Sequence, residues 1–106
     1  MSRSTIGGHV STLPTPDPSA VEQVARCARR VRFVSLDPAK NRARCYTITW
    51  QPALWGGGAI VRRWGRLGGQ GRALIAFSPD WASTQASVER QIQRRLGRGY
   101  QVVAWW

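Results

Sequence analysis

The chain has 106 residues, is 42% apolar, and sets 16 basic side chains against 5 acidic ones for a formal charge of +11. That length fits one domain with a single modest core and excludes a large multidomain enzyme with a cleft between lobes. All the bases but Lys40 are Arg, and residues 30–106 set thirteen bases against Asp37, Asp80 and Glu89. A polyanion is therefore the first partner to consider, because the guanidinium fork suits phosphate and stacks on flat rings; a solvated basic surface with no partner is the plainer reading of the same charge.

Residues 1–18 combine Gly7, Gly8, Pro14, Pro16 and Pro18 with Ser and Thr and are read as a disordered tail, too poor in large apolar groups to offset the entropy of ordering. A short helix is expected over 19–29, where Ser19 and Glu22 have capping-box spacing and Val21, Val24 and Ala28 recur at helical intervals. The domain proper is read as 30–106. Its first strand runs from Arg30 to Leu36, with a loop at Asp37, Pro38 and Asn41. The second, Arg44 to Gln51, alternates cleanly, with Tyr46, Ile48 and Trp50 on the core face and Cys45, Thr47 and Thr49 on the other.

A hairpin connection with Gly56, Gly57 and Gly58 leads to a third strand, Ala59 to Leu67. A tight turn at Gly68 to Gly71 leads to a fourth, Arg72 to Phe77. Ser78 and Pro79 mark a helix entrance, after which Trp81, Val88, Ile92 and Leu96 form one apolar stripe. Gly97 or Gly99 ends that helix in a left-handed cap, and Tyr100 to Trp106 returns as a final edge strand. The fold class is α+β: a small antiparallel sheet of four to five strands in a meander, one main helix packed on it, and a short N-terminal helix.

Catalysis is hard to assemble from these residues. The only imidazole, His9, lies in the tail; Asp37 and Asp80 each adjoin a proline and read as turn or cap residues, so no catalytic residue is assigned. Two cysteines fall short of the four ligands of a structural zinc site; Cys27 and Cys45 are read as reduced and buried or inert, with no metal and no cofactor. The glycines at 65, 68 and 71 lead into a strand, not a helix, and so do not form a phosphate loop. No membrane span and no secretory leader are read, which gives the expectation of a cytoplasmic, or nucleoid-associated, protein.

What remains is a stripe of Arg and Trp. Under strand alternation Arg62, Trp64 and Arg66 project to one side and Val61, Arg63 and Leu67 to the other. An indole between two guanidinium groups reads either as a ring that stacks on a base with phosphates clamped beside it, or as a core Trp whose Arg neighbours snorkel.

The ordered run Leu54-Trp55-Gly56-Gly57, then Val61-Arg62-Arg63-Trp64-Gly65-Arg66-Leu67-Gly68 and Gly71, resembles the WGR domain. Leu36-Asp37, Tyr46, Phe77, Arg95 and Gly99-Tyr100 fit the same pattern, which extends over 31 to about 101. The resemblance implies a nucleic-acid-binding module like those of DNA-damage-dependent poly(ADP-ribose) polymerases, where the motif Trp packs near the terminal nucleotide of a break and the motif Arg links DNA binding to neighbouring domains. Those roles would fall on Trp64 and Arg66. No polymerase or zinc-finger segment accompanies them here, as in the short stand-alone bacterial members, so phosphate contact is the expected job of Arg66. The expected function is recognition of DNA ends or nicks through Trp64, Gly65 and Arg66, with Arg62, Arg63 and Arg72 on phosphates. The alternatives are an adaptor docking an acidic protein, with Trp105 and Trp106 as anchors, and an RNA or single-strand binder.

Overall fold

Local propensity sets the elements, and one apolar face gathers them. The computed structural model describes residues 9–10 and 18–106, so most of the expected tail lies outside the described residues. Strand β1 is His9–Val10, helix α1 Pro18–Cys27, β2 Arg30–Asp37, β3 Arg42–Pro52, β4 Gly58–Arg66, β5 Arg72–Ser78, helix α2 Trp81–Gly97 and β6 Gln101–Trp105. A 3-10 turn at Pro38–Lys40 closes on Asn41 at φ 50°, a left-handed conformation that Asn tolerates. It delivers the chain into β3 two residues earlier than expected.

The six strands lie in the order β1-β6-β2-β3-β4-β5. Strands β2 to β5 form the expected meander. Strand β6 crosses back under α2 to pair with β2, and His9–Val10 pair with its far side through Trp105 and Ala104. The returning strand is thus flanked on both sides, and two residues from within the expected tail take the outer edge.

Directly paired residues share a face, so the row Phe33, Tyr46, Trp64, Arg72 and the row Val31, Ile48, Arg62, Leu74 both point to one side of the sheet. That side holds the core. Phe33, Tyr46, Ile48 and Trp50 are buried there, Val88 and Ile92 of α2 cover them, and Val21 and Ala25 of α1, with Ala28 just past its end, complete the cluster. Each buried aliphatic or aromatic side chain contributes roughly 1.5–3 kcal/mol through apolar area removed from water. Among the described residues none of the opposite face is buried; Arg30, Arg32, Leu36 and Arg63 stand exposed on it.

Asp80 caps α2, its Oδ1 accepting from Ser83 N at 2.7 Å, as the sequence suggested for a carboxylate beside Pro79. Thr84 of α2 packs so closely on Gly58 that any β-carbon there would collide with it. Gly99, at φ 88°, ends the helix, and Tyr100 N donates to Arg95 O at 3.1 Å. The Ser19 side chain lies outside the described residues; Glu22 accepts from Arg26 at 2.9 Å, one turn along α1.

Two expectations change. Cys27 is exposed, because it ends α1 on the side away from Val24 and Ala28, while Cys45 is half-buried; both are free thiols. Trp105 packs against the core, and Trp106 is held by backbone bonds to Arg29 and Arg30, with the Arg30 guanidinium 5.4 Å from its ring centre. Trp105 thus packs into the sheet's core, while Trp106, tied to the sheet by its backbone, keeps an exposed ring.

Candidate nucleic-acid interface

Beyond the C-terminal end of α2, the helix-covered face of the sheet is built from aromatic rings and guanidinium groups. Strand β3 supplies Arg42, Arg44 and Tyr46, β4 supplies Arg62, Trp64 and Arg66, β5 supplies Arg72, and the end of α2 brings Arg95 with Tyr100 just beyond it. Trp64 lies nearly parallel to Tyr46, 18° between planes and 5.8 Å between ring centres. Tyr100 and Phe33 meet Tyr46 edge-on, at 6.0 and 6.3 Å. Trp64 is half-buried: it rests on Tyr46, and its sheet neighbours Arg66 and Arg72 are exposed. The two readings of this indole, core or surface, each describe part of it.

The cations are not neutralised from within. Arg95 sits over the Tyr46 ring at 4.5 Å and 5.8 Å from Tyr100, and Arg42 is 5.7 Å from Tyr100. Arg62 Nη1 donates to Tyr46 Oη at 3.4 Å and to Gln91 Oε1 at 3.5 Å. The Nε atoms of Arg42 and Arg95 are buried without a hydrogen-bond partner, and each orphaned donor costs about 1–3 kcal/mol. Ring contacts return about 0.5–2 kcal/mol per cation. Among the described residues no carboxylate lies within ion-pair distance of these guanidinium groups, the ion pair Arg26 to Glu22 lying on α1, although Asp37 stands directly across from Arg42 between β2 and β3. Arg44 and Arg66 stand directly opposite each other across β3 and β4, both exposed. Like charges in that position repel. An anion between them removes the repulsion.

Gly65 serves this site through the backbone. Residues 68–71 fold back over it, and a β-carbon on Gly65 would lie 2.5 Å from Gly71 Cα. Gly68 and Gly71 have φ of 82° and 71°, which suit glycine alone. The middle residue of Trp64-Gly65-Arg66 is thus required by the hairpin.

Of the residues singled out from the sequence, Arg62, Trp64, Arg66 and Arg72 come together on one face, with Gly65 beneath them. Arg63 projects to the other face, as alternation predicts, and joins Arg32, Cys45 and Thr47 around a shallow hollow of about 180 Å³ that residues 64–66 and 69–71 also line. Arg42 and Arg44 were not assigned a role from the sequence. Extending the Tyr46, Ile48, Trp50 alternation back by four residues places both on the same face. Arg95 follows Ile92 of the apolar stripe at one helical turn. Among the described residues no three His, Cys, Asp or Glu side chains gather to hold a metal, and no helix is long and apolar enough to cross a membrane.

A two-helix, antiparallel-sheet domain with an unneutralised cluster of rings and guanidinium groups belongs to the class of binding modules. The chain is a member of the WGR domain family, whose model matches residues 29–104. That domain is known as a nucleic-acid-binding module, a binding domain rather than a catalytic one. The chain is 40% identical over 72 residues to the uncharacterized protein y4dW of Sinorhizobium fredii, an alignment covering 67% of this chain and 35% of that protein. It therefore spans about a third of that relative's length. A crystal structure of a Bacteroides fragilis protein superposes with a TM-score of 0.60 over 70% of this chain and 19% of that one, at 16% identity, which shows a shared fold.

Proposed function

We propose that this protein binds DNA through the face built by Arg42, Arg44, Tyr46, Arg62, Trp64, Arg66, Arg72 and Arg95, and that it prefers strand ends and nicks to intact duplex. One observation carries the reading: guanidinium groups gather beside the stacked Tyr46, Trp64 and Tyr100 rings, several of them exposed, with no carboxylate in ion-pair contact among the described residues. Phosphates supply the counter-charge for the exposed groups. Preference for ends follows from the half-exposed indole. An intact duplex hides its base faces, whereas a terminus or nick exposes one, and stacking on it contributes about 1–3 kcal/mol, roughly five- to 150-fold in affinity. Gly65 holds the hairpin that positions the indole, and Arg63, on the opposite face, makes a lesser phosphate contact.

The test is competition between a nicked duplex and a covalently closed circle of the same sequence at fixed salt. The nicked form is expected to bind at least about fivefold more tightly, and equal binding removes end recognition from the account. Trp64→Ala should abolish the preference. Because the indole rests on Tyr46, the same change also costs about 1–2 kcal/mol of stability, so binding is compared well below both melting temperatures.

A further inference from the structure

Strand β5 ends the sheet, and its outer edge has no partner strand among the described residues. Every residue from Arg72 to Phe77 is exposed. Exposed edges are ordinarily blunted by an inward charge, a proline or a bulge. Ala73-Leu74-Ile75-Ala76-Phe77 has no charge and no proline, and its pairing with β4 runs without a register shift. Next to it lies Trp55, 69% exposed, with its ring 5.6 Å from that of Phe77, itself 63% exposed; Leu74 and Ile75 are 46% and 57% exposed. Together these four side chains expose on the order of 450 Å² of apolar surface along this edge, Ile75 and Phe77 on the open face and Leu74 on the helix side.

We infer that β5 pairs with β5 of a second copy of this chain, antiparallel and centred on Ile75. The strand is complementary to itself in that register. Ile75 meets Ile75 at the centre, while Phe77 meets Ala73, Leu74 meets Ala76, and Arg72 meets Ser78, so every other large side chain lies opposite a small one and no two Arg residues face each other. Paired positions that sum to an even number keep the faces of the two sheets matched. Ile75, Phe77 and Ala73 of both copies then form one apolar band on the open face, and Leu74 and Ala76 another on the helix side. An acidic peptide is disfavoured as the occupant because the strand offers it a cation only at Arg72. The second copy needs none. The patch supplies about half of the roughly 800 Å² that each partner contributes to a standard interface, so the dimer is weak, with a dissociation constant on the order of tens of micromolar. The inference does not depend on nucleic-acid binding.

The formal charge of +11 opposes self-association, so the dimer should tighten as salt rises and screens the repulsion, whereas DNA binding weakens. Sedimentation of the full chain from about 1 to 500 µM in 0.3 M NaCl is expected to show a monomer–dimer equilibrium. Ile75→Arg should shift it at least tenfold toward monomer, with far-UV circular dichroism and melting temperature unchanged. In a Cys27→Ser, Cys45→Ser background, Ile75→Cys should cross-link under mild oxidation faster than Leu36→Cys, an exposed control, because directly opposed residues sit about 4.5–5.5 Å apart between Cα atoms. A wild-type chain that stays monomeric throughout, an Ile75→Arg chain that dimerises as the wild type does, or equal cross-linking at positions 75 and 36 would overturn the inference.

Discussion

At the scale of single residues, the most telling pair is Arg44 and Arg66. Two guanidinium groups directly opposed across adjacent strands, next to an indole and without an acid to share, lower stability in the free protein. A polyanion bound between them would offset that repulsion. Arg44→Ala and Arg66→Ala should each raise stability by about 0.2–1 kcal/mol in a denaturant melt while weakening DNA binding several-fold. Loss of both stability and affinity would mean that these side chains brace the fold. The motif Trp and Arg were legible in the sequence because alternation places Arg62, Trp64 and Arg66 together. The burial of Trp64 was not legible, since the sequence does not state that Tyr46 lies directly across from it; only the register of β3 on β4 does.

At the scale of elements, the hairpin between β4 and β5 shows how a motif residue serves the site without touching a ligand. The turn folds back over Gly65, and a methyl group there meets the Gly71 backbone. Gly65→Ala should therefore lower stability by about 1–3 kcal/mol, as overpacking against backbone does, and should weaken binding only as far as Trp64 is displaced. A melting temperature equal to that of the wild type would remove this explanation of the motif glycine. Strands β2 to β5 and helix α2 were readable from alternation and from the apolar stripe. The early start of β3 was not, because Arg42 and Ala43 carry no large apolar side chain and the turn that aligns them depends on the left-handed Asn41. Nor was β1, since two residues carry no periodicity. The exposed flank of β5 was hidden for a different reason: Leu74, Ile75 and Phe77 look like core residues in sequence, and only the strand order places them at an open edge.

At the scale of the whole molecule, the positive charge is distributed over both faces of the sheet, but the Tyr46, Trp64 and Tyr100 rings are on one. Arg30, Arg32 and Arg63 on the open face can add general attraction to a polyanion, whereas the face bearing Trp64 can also stack. If about four phosphates are neutralised there, log K should fall against log salt with a slope near −3.6 on duplex DNA. A slope near zero would leave the charge without a role in binding.

The central claim is that the Tyr46–Trp64–Arg95 cluster is the surface that meets DNA. Chemical-shift mapping with a short blunt-ended duplex tests it most directly, because the Trp64 indole N–H reports on the site by itself. The account predicts the largest shifts at that indole and at the backbone amides of Arg42, Arg44, Arg66 and Tyr100. Shifts centred on Arg30, Arg32 and Arg63, with the Trp64 indole unmoved, would contradict it.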